Sequence, residues 1–387
     1  MPFSHLFVIH ELTIMQTPIA IIGNGFAGSF IAHQLHQIGQ ECCIIAPKNH
    51  KTSDNPAAIV RPFITHKHDP IGLYYYYAYQ LWQSWIQENG APDYWQQCGA
   101  LEQNSRVITK ALDNVCINNS WIKKQNHGWF FEQAGMVDGG KLCKYLIRDT
   151  HYIESRVTNL VHQQSQWRIT LDNKKTIAAN TVLIATNHAT IHGLNTHWLD
   201  TTTVRGQLSI FRHDVHNCPT QYIVCDNKHL TPLFNHHYYA GATYSRDDHQ
   251  LDVREDDHKE NLTGISHWFD CDHSPKPCGA FVGLRTTAID RRSIVGKLPK
   301  EDLYCCHHHD LQHGAPKQAT NSELYYPHLY LSVAHGSRGV LSSFMASYLL
   351  MQQMGYSNDI PDTDYQTLLK LVAPERFLDR SIKRALR

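Results

Sequence analysis

The chain has 387 residues, which is enough for one large domain or two medium-sized domains with their own cores. It is 42% hydrophobic and 18% charged, as globular proteins are, and it has no apolar run of the roughly 18 residues that cross a bilayer, so we expect no membrane-spanning helix. Because 35 basic and 35 acidic residues cancel, a surface coated in positive charge is excluded, although a local basic patch is not.

The chain opens with a βαβ pattern after a short leading segment. Residues 1–14 have neither a basic start nor a small-residue cleavage site, so we expect an extension rather than a signal peptide. Residues 19–22 predict a buried strand, residues 29–38 a helix and residues 42–46 a second, parallel strand. The turn between the first strand and the helix reads GNGFAG, residues 23–28. A Gly-x-Gly-x-x-Gly turn in this context predicts a dinucleotide cradle, where the backbone approaches a pyrophosphate at the helix N-terminus.

One expected part of this cradle is missing. The second strand ends on Ala46, Pro47 and Lys48, where a dinucleotide-binding unit places the acid that binds the ribose hydroxyls. The missing acid argues against NAD in particular. Lys48 cannot accept hydrogen bonds from a ribose, whereas a contact between Lys48 and phosphate stays open.

The middle of the chain alternates helices with strand-rich stretches. Residues 73–88 and 139–150 predict helices, residues 181–185 a buried strand, and residues 204–282 a polar, strand-rich region. One face of the first of these helices carries Tyr74, Ala78, Trp82 and Trp85. Such a stripe favours packing in a core over stacking on nucleobases.

Two motifs near the C-terminal end add chemistry. Residues 329–356 predict a strand, a glycine turn at Gly336 to Gly339 and a long apolar helix. A second helix N-terminus there faces either a polar part of a ligand, such as a flavin pyrimidine ring, or only its own packing. Arg285 follows Gly283 and Leu284 at the expected end of a strand. An arginine there suits bidentate recognition of a carboxylate, with a surface salt bridge as the alternative.

Together these segments resemble the FAD-dependent amine oxidases of the glycine oxidase and D-amino acid oxidase fold, from Pro18 to near the C-terminus. The resemblance is strongest to one branch, the FAD-dependent C-terminal half of the bifunctional tRNA 5-methylaminomethyl-2-thiouridine biosynthesis proteins (MnmC). The stretches that carry it are Ser53, Asn55 and Pro62, LTP at 230–232, GATYSR at 241–246, GLRTTAIDRRSIVG at 283–296, HGSRGVLSS at 335–343 and the tail LVAPERFLDRSIKR.

The resemblance implies an α/β fold of the D-amino acid oxidase type. A discontinuous Rossmann-like FAD-binding domain would comprise residues 15–75, 139–203 and 283–387, and a β-rich α+β substrate domain would comprise residues 76–138 and 204–282. It implies FAD as cofactor, Arg285 as the residue that holds the substrate carboxylate and Arg338 as a second catalytic-site arginine near it. The implied FAD-binding residues are Gly23, Gly25, Phe26, Ala27, Gly28, Lys48, Ser53, Asn55, Ala57, Ala58, Val157, Ala185, Thr186, Asn187, Gly336, Ser337, Arg338, Gly339 and Val340.

The branch also implies a reaction. FAD would oxidise the side chain of 5-carboxymethylaminomethyl-(2-thio)uridine at the wobble position of tRNA, releasing glyoxylate and leaving the 5-aminomethyl nucleoside. The implied setting is cytoplasmic, with no membrane or metal partner, and methylation of the product would need a separate tRNA methyltransferase. Two alternatives stay open: an oxidase of free glycine, sarcosine or D-amino acids, and a non-enzymatic scaffold, which the missing acid at Ala46 favours.

Four further features have two interpretations each. CCHHHDLQH at 305–313 reads better as a flexible polar loop than as a zinc site, because its ligands are adjacent, and the 11 cysteines are expected to be reduced thiols. REDDHKEN at 254–261 reads as a solvated loop or helix face. His188 and His335, beside the presumed cofactor turns, favour structural roles over proton transfer. The tail carries Lys370, Arg376, Arg380, Lys383, Arg384 and Arg387 against Glu375 and Asp379, which suits either tRNA phosphates or a solvated helix end.

Overall fold

A computed structural model of the chain describes residues 15–48, 51–65, 69–90, 92–103, 108, 119–125, 128–187, 190–212, 220–268, 275–356 and 360–385. The predictions for residues 1–14, His188 and Arg387 lie outside these residues. In the described part of the chain, no helix combines the length and the apolar character needed to cross a membrane.

Eight strands of the described chain form the first sheet. Its main path runs in the order β10, β11, β12, β1, β2 and β9, with β20 beside β12 and β19 beside β20. The bounds are β1 Met15–Ile22, β2 Cys43–Ala46, β9 His151–Glu154, β10 Val157–Gln163, β11 Gln166–Leu171, β12 Thr176–Ile184, β19 Ile294–Pro299 and β20 Tyr325–Val333. Strands β20, β12, β1, β2 and β9 are parallel neighbours, so their carboxyl ends meet at one edge, which is where ligands bind in such sheets.

Helices α1 (Phe26–Gln37), α2 (Pro70–Glu88), α3 (Gly139–Leu146) and α6 (Gly339–Gln353) cover one face of this sheet with a shared core. The Phe30 ring packs edge-on against Trp82, Trp85 and Phe344, with ring centroids 5.0–6.4 Å apart. The aromatic stripe of α2 is therefore core, as its spacing predicts, because all four of its residues are buried. Helix α2 begins three residues earlier than predicted, where Asp69 caps the amide of Gly72.

Nine strands of the described chain form the second sheet, in the order β17, β13, β16, β15, β14, β5, β7 and β6, with β18 on the other side of β13. Their bounds are β5 Ala100–Gln103, β6 Lys123–Gln125, β7 Gly128–Phe131, β13 Thr201–Arg212, β14 Ile223–Cys225, β15 His229–Leu230, β16 His237–Gly241, β17 Ser245–Arg246 and β18 Gly279–Ala288. A small third sheet joins β3 (Ala58–Val60), β8 (Gly135–Val137) and β4 (Trp95–Gln97).

The division into domains stays a proposal, and the structure locates its proposed borders. The borders at 203/204 and 282/283 fall inside the continuous strands β13 and β18, which pair from Thr201↔Ala288 to Ile210↔Gly279. Each strand therefore belongs to the second sheet on both sides of its border.

Helix α4 (Glu255–Ile265) interrupts the strand-rich region and is less solvated than its charged sequence predicts. Asp257, His258 and Asn261 are buried against the second sheet. Asp257 pairs there with Arg205, which is fully buried and also donates to the Gln250 and Asp252 carbonyls. The charge pattern of residues 254–261 did not predict this buried ion pair, because Arg205, the partner of Asp257, lies some fifty residues away on β13.

The prediction of a flexible loop over residues 305–313 is wrong. Helix α5 (Glu301–His307) is followed by a 3₁₀ helix, His309–His313, and both pack on α8 (Arg376–Arg384) through Tyr304, Leu311, Leu378 and Ile382. Helix α7 (Asp362–Val372) precedes α8. Among the described residues, no group of three or more His, Cys, Asp or Glu side chains is arranged to hold a metal ion.

Candidate flavin and substrate site

The first glycine turn is closely packed at the carboxyl edge of the first sheet. Gly23 has φ +114°, and a Cβ there would lie 2.5 Å from the Ala185 carbonyl oxygen. A Cβ on Gly28 would lie 1.9 Å from the Gly23 carbonyl oxygen. Neither position accepts a side chain, so the backbone of α1 comes directly onto the end of β1. The structure thus brings together Gly23, Gly28 and Ala185 as predicted, with Phe26 and Ala27 in the first turn of α1.

The segment after β2 closes over this turn. The Phe26 amide donates to Ser53 Oγ at 3.0 Å, and a Cβ on Gly25 would meet only Ser53, 2.9 Å from its hydroxyl oxygen. Lys51, which was not predicted, lies with Nζ 3.4 Å from the Asn24 carbonyl oxygen. The N-terminus of α1, with its unpaired amides and positive dipole end, is therefore lined by a hydroxyl and an ammonium group.

The same segment connects the glycine turn to the substrate strand. Thr52 donates from Oγ1 to the Leu284 carbonyl at 2.6 Å, next to Arg285. Asn187 binds the same stretch, because its amide donates to the Leu284 carbonyl at 2.7 Å and accepts from the Thr286 amide at 3.1 Å. The predicted cofactor residue Asn187 thus uses both side-chain groups to hold β18, and its neighbour Thr186 lies beside Gly23.

The remaining predicted residues of the first turn lie around the same edge. Asn55 accepts from the Ala57 amide at 3.0 Å, and its carbonyl accepts from the Gly139 amide at 2.9 Å. Ala57 is buried and Ala58 begins β3. Val157 begins β10, two residues after Ser155, whose amide donates to the Ala46 carbonyl at 3.2 Å. Lys48 is exposed.

The second glycine turn has the predicted strand–turn–helix form. It is a 3₁₀ turn, Gly336–Arg338, between β20 and α6, with Gly336 at φ +60°, Gly339 as the first residue of α6 and Val340 buried behind it. His335 lies between two serines, with its ring nitrogens 3.1 Å from Ser332 Oγ and Ser342 Oγ. Desolvation lowers the pKa of His335 to about 4, so a neutral, structural histidine fits this position.

Arg285 lies within β18 rather than at its end, and its guanidinium crosses towards the second turn. Nη2 donates to the Thr243 carbonyl at 3.0 Å and Nη1 to Ser337 Oγ at 3.3 Å. The guanidinium also lies over the Tyr244 ring, 5.6 Å from its centroid. Desolvation lowers the pKa of Arg285, and no carboxylate pairs with it among the described residues. A half-buried cation without an acid is suited to receive an anionic ligand group.

Glycines on the second sheet leave space for the Arg285 side chain. A row of in-register residues crosses the second sheet: Glu102, Cys225, His229, Gly241, Leu208 and Phe281. Arg285 projects from the same face, four residues beyond Phe281 on β18. On that face Gly206 pairs with Gly283, and a Cβ on Gly206 would lie 1.9 Å from Arg285 Nη2. The space that the guanidinium occupies therefore exists because position 206 has no side chain.

We expect Gly206→Ala to displace the Arg285 guanidinium, because Nη2 would lie 1.9 Å from the new Cβ and is the end of a flexible side chain. The Thr243 carbonyl oxygen, 2.9 Å from the new Cβ, must shift as well. The substrate KM should rise by roughly tenfold or more, since a charge-assisted hydrogen bond contributes about 1.5–3 kcal/mol. Steady-state kinetics on the FAD-loaded variant tests this. Gly279→Ala, whose Cβ would meet only Ile210 Cδ1 at 3.9 Å, is the matched control on the neighbouring strand β18. Equal KM values for both variants would contradict the assignment.

Arg338 provides a second cation at the same place. It is exposed, and its guanidinium stacks 3.7 Å from the Phe63 ring centroid and 5.8 Å from that of Tyr75. No carboxylate forms an ion pair with Arg338 in the described part of the chain. A third cation, Arg61, is neutralised by Glu102 at 2.7 Å.

His229 faces this group of cations in the neutral form. Desolvation, followed by the positive charges of Arg285, Lys228 and Arg61, lowers the pKa of His229 to about 4. Lys228 pairs with Glu260 and Arg61 with Glu102, so at neutral pH the uncompensated charges of this region are those of Arg285 and Arg338.

Comparison with known proteins agrees with this geometry. A family model described as FAD dependent oxidoreductase (DAO) matches residues 18–353. The chain belongs to this family of FAD-dependent oxidoreductases. The predictions of an FAD-dependent oxidoreductase and of FAD as its cofactor are confirmed by this membership.

Curated relatives of this FAD-dependent oxidoreductase carry the name of the predicted branch. Proteins of Methylobacillus flagellatus and Saccharophagus degradans, both named tRNA 5-methylaminomethyl-2-thiouridine biosynthesis bifunctional protein MnmC, are 24% and 25% identical to it. The matches cover 97% and 94% of this chain but 62% and 56% of the relatives, so the chain spans little more than half of their length. The predicted resemblance is confirmed.

Solved structures confirm the fold. Iminodiacetate oxidase from Chelativorans sp. BNC1 superposes with a TM-score of 0.70 at 17% identity, covering 90% of this chain and 98% of the other. Glycine oxidase from Bacillus cereus superposes with a TM-score of 0.68 at 15% identity, covering 88% and 96%. The first sheet with α1, α2, α3 and α6 corresponds to the predicted Rossmann-like FAD unit, and the second sheet to the β-rich substrate unit.

The residues of the first turn fit FAD on the evidence of their own geometry. Gly23 and Gly28 leave no room for side chains at the N-terminus of α1, which is the arrangement that lets a pyrophosphate approach the backbone. We propose that Gly25, Phe26, Ala27 and Ser53 hold the pyrophosphate and that Gly336, Ser337, Gly339 and Val340 face the flavin ring.

Several residues of the candidate site could not be identified from the sequence. Lys51 and Thr52 lie in a segment that reads as loop, and Gly206, His229 and Glu102 lie on strands that show no motif. One signal was available, the glycine of RGQ at residues 205–207, which lies inside a strand. A glycine within a strand often marks a place where another group comes close to the backbone.

The basic tail is largely a structural element of this oxidoreductase. Arg376 donates to both oxygens of Asp290 at 2.8 and 3.1 Å, and Arg380 donates to the same carboxylate at 3.2 Å. The side chains of Arg376 and Asp290 are 11% and 12% exposed. The stretch ERFLDR of the tail therefore pairs with AIDRR, the turn that follows β18. Lys370, Lys383 and Arg384 remain exposed.

We expect Asp290→Ala to lower the free energy of unfolding by about 3 kcal/mol, because it leaves Arg376 nearly buried without its carboxylate. Lys383→Ala, on the exposed side of α8, should change it by less than about 0.5 kcal/mol. Urea unfolding followed by circular dichroism measures both values. A stable Asp290→Ala variant with weakened tRNA binding would contradict the structural assignment of this pair.

Proposed function

We propose that this FAD-dependent oxidoreductase oxidises an N-substituted glycine, the carboxymethylaminomethyl side chain of a tRNA wobble uridine. The observation that carries the proposal is the pair of guanidinium groups, Arg285 and Arg338, that flank Ser337 of the second glycine turn without an acidic partner among the described residues. A planar fork of donors beside a flavin site is suited to a substrate carboxylate.

The names of related proteins support this substrate class. The curated relatives are named for biosynthesis of a methylaminomethyl-thiouridine in tRNA, and iminodiacetate oxidase is named for an N-substituted glycine. Iminodiacetate and the carboxymethylaminomethyl group share the unit N–CH₂–COO⁻. A pocket that binds this unit by its carboxylate needs no group specific for a free α-amino acid.

The proposed chemistry balances as an oxidation followed by hydrolysis. A hydride leaves the carbon between the nitrogen and the carboxylate. FAD, when it is bound, accepts this hydride. The resulting iminium takes up water at that carbon. The carbon–nitrogen bond then breaks to give glyoxylate and the 5-aminomethyl nucleoside.

The chain's own residues would position the substrate for this step. Arg285 would hold the carboxylate over the side-chain-free floor at Gly206 and Gly283, and Thr52 and Asn187 fix the backbone at Leu284 beside it. Neutral His229 adds no positive charge near the substrate nitrogen, which favours loss of its proton. Fixing the carbon at the flavin is the main contribution that such a site can make.

The mouth of the pocket is suited to a large anionic substrate. Tyr244 is 51% exposed, and Arg246 is exposed on β17 in the same row as Arg285, with Val204 between them. An exposed ring can stack on an unpaired base, and arginines bind phosphates. We therefore propose tRNA as the partner at Tyr244, Arg246 and Arg338, with the exposed Lys383 and Arg384 as further contacts. The relatives' name also requires a methyl transfer. We assign this transfer to a tRNA methyltransferase and not to these 387 residues.

The experiment is oxidation of tRNA that carries the carboxymethylaminomethyl nucleoside. We expect mass spectrometry of the digested tRNA to show loss of the carboxymethyl group with one glyoxylate released for each nucleoside converted. Unmodified tRNA and heat-treated enzyme serve as controls. A flavin-loaded preparation that leaves the nucleoside unchanged would overturn the proposal.

A second candidate is oxidation of free glycine, sarcosine or a D-amino acid, which the fold shared with glycine oxidase favours. It requires the same Arg285 but not the exposed Arg246. Arg246→Ala separates the two. This change should weaken turnover of tRNA and leave turnover of sarcosine unchanged if tRNA is the substrate.

A further inference from the structure

The family to which the chain belongs requires FAD, yet the position where the first βαβ unit would place its ribose-binding acid is Ala46. Ala46 is the last residue of β2, and its side chain is buried against the core that β2 shares with α1. Neither Pro47 nor Lys48 supplies a carboxylate. The adenosine ribose must therefore be held by a group that reaches this point from another element.

Strand β9 brings an acid to the same point. It is the parallel neighbour of β2, and the register pairs Cys43 with His151, Ile44 with Tyr152, Ile45 with Ile153 and Ala46 with Glu154. Both strands therefore end at the same level of the sheet, on paired residues. In-register residues of neighbouring strands are about 4.8 Å apart and project from the same face. Glu154 thus lies beside Ala46 on the side of the sheet that α1 covers, and it is exposed.

Tyr152 connects this position to the glycine turn. It projects from the same face two residues before Glu154. Its hydroxyl donates to the Ala46 carbonyl at 2.8 Å and accepts from the Asn24 side-chain amide at 3.3 Å, and Asn24 lies between Gly23 and Gly25. Desolvation and then the negative charge of Glu154 raise the pKa of Tyr152. Across the described residues, no cation forms an ion pair with Glu154.

We propose that Glu154 binds the adenosine ribose hydroxyls of FAD in place of the acid that β2 lacks. The acceptor is a carboxylate at the carboxyl edge of the sheet, on β9 instead of β2, and Tyr152 bonds the Ala46 carbonyl and the Asn24 side chain between it and the pyrophosphate cradle. A carboxylate accepts from two vicinal hydroxyls with its two oxygens, and neither Ala46 nor Lys48 has an acceptor in its side chain.

The test measures FAD affinity of the apoprotein, by quenching of flavin fluorescence, with FAD and with an FAD analogue that lacks the 2′ and 3′ hydroxyls of the adenosine ribose. We expect Glu154→Gln to raise the Kd for FAD by roughly 10- to 100-fold, since hydrogen bonds to a charged group contribute about 1.5–3 kcal/mol. The Kd of the wild-type protein should rise by a similar factor when the analogue replaces FAD. Glu154→Gln should bind FAD and the analogue equally.

Glu41→Gln is the matched control, because Glu41 is exposed at the opposite, amino end of β2. It should leave the Kd for both flavins unchanged. Circular dichroism establishes that the exposed change at Glu154 leaves the fold intact, and Glu154→Asp, with a shorter side chain, should give an intermediate Kd. A Kd of Glu154→Gln within twofold of wild type, or the same loss for FAD and for the analogue, would overturn the proposal. Neither result depends on which substrate the enzyme oxidises.

Discussion

Replacing Arg285 with alanine is expected to abolish oxidation while leaving FAD bound. The guanidinium contacts Thr243, Ser337 and the Tyr244 ring, and it has no ion-pair partner in the described chain, so its charge is free for the substrate carboxylate. Loss of this contact removes both charge and orientation, and we expect kcat/KM to fall on the order of 10³-fold. Stopped-flow reduction of the bound flavin measures the effect.

Two variants separate recognition from general damage. Arg285→Lys keeps the charge but loses the planar fork, and it should recover no more than about tenfold of the lost activity. Arg168→Ala removes an exposed arginine on β11 of the first sheet and should behave as wild type. Normal turnover in Arg285→Ala would remove the carboxylate assignment, and loss of flavin from it would mean that Arg285 supports the fold.

Gly25→Val is expected to produce a folded protein without flavin. Gly25 has φ −78°, which any residue adopts, and its Cβ would meet only Ser53 Oγ at 2.9 Å. The Ser53 side chain, which accepts from the Phe26 amide, would have to move to accommodate the valine, and the valine would then occupy the pyrophosphate cradle at the N-terminus of α1. We expect purified Gly25→Val to be colourless, with at least a 100-fold weaker Kd for FAD.

The control for Gly25→Val is a glycine substitution outside the cradle. Gly279→Ala should keep the yellow colour and the wild-type Kd, because its neighbourhood is open. Circular dichroism reports whether the fold of Gly25→Val is retained. A yellow Gly25→Val protein with wild-type affinity would place the pyrophosphate elsewhere.

Those parts of the site that depend on local sequence could be predicted. The turn at residues 23–28 and the turn at Gly336 to Gly339 are each encoded within a dozen residues by the alternation of apolar strand, glycine and apolar helix. The aromatic stripe on α2 could be assigned to the core for the same reason, because the spacing of its residues is a local feature of the sequence. The family resemblance then connected these separate turns to one cofactor.

What could not be predicted depends on pairs far apart in the chain. The space for Arg285 is created by Gly206, 79 residues earlier, and only the register of β13 and β18 brings the two together. Arg376 was assigned with the tail to tRNA phosphates or a solvated helix end, and Asp290 was given no role, yet the two form a nearly buried pair. The position of Glu154 beside Ala46 could not be predicted either, because it arises from the pairing of β2 with β9 and leaves no motif in the sequence.

The most direct test of the proposed function is the absorbance of the bound flavin without oxygen. Mixing the FAD-loaded protein with tRNA that carries the carboxymethylaminomethyl nucleoside should bleach the flavin band with one nucleoside consumed per flavin, faster than glycine or sarcosine at the same concentration does. An oxidised flavin after mixing with this tRNA, together with rapid bleaching by the free amino acids, would contradict it.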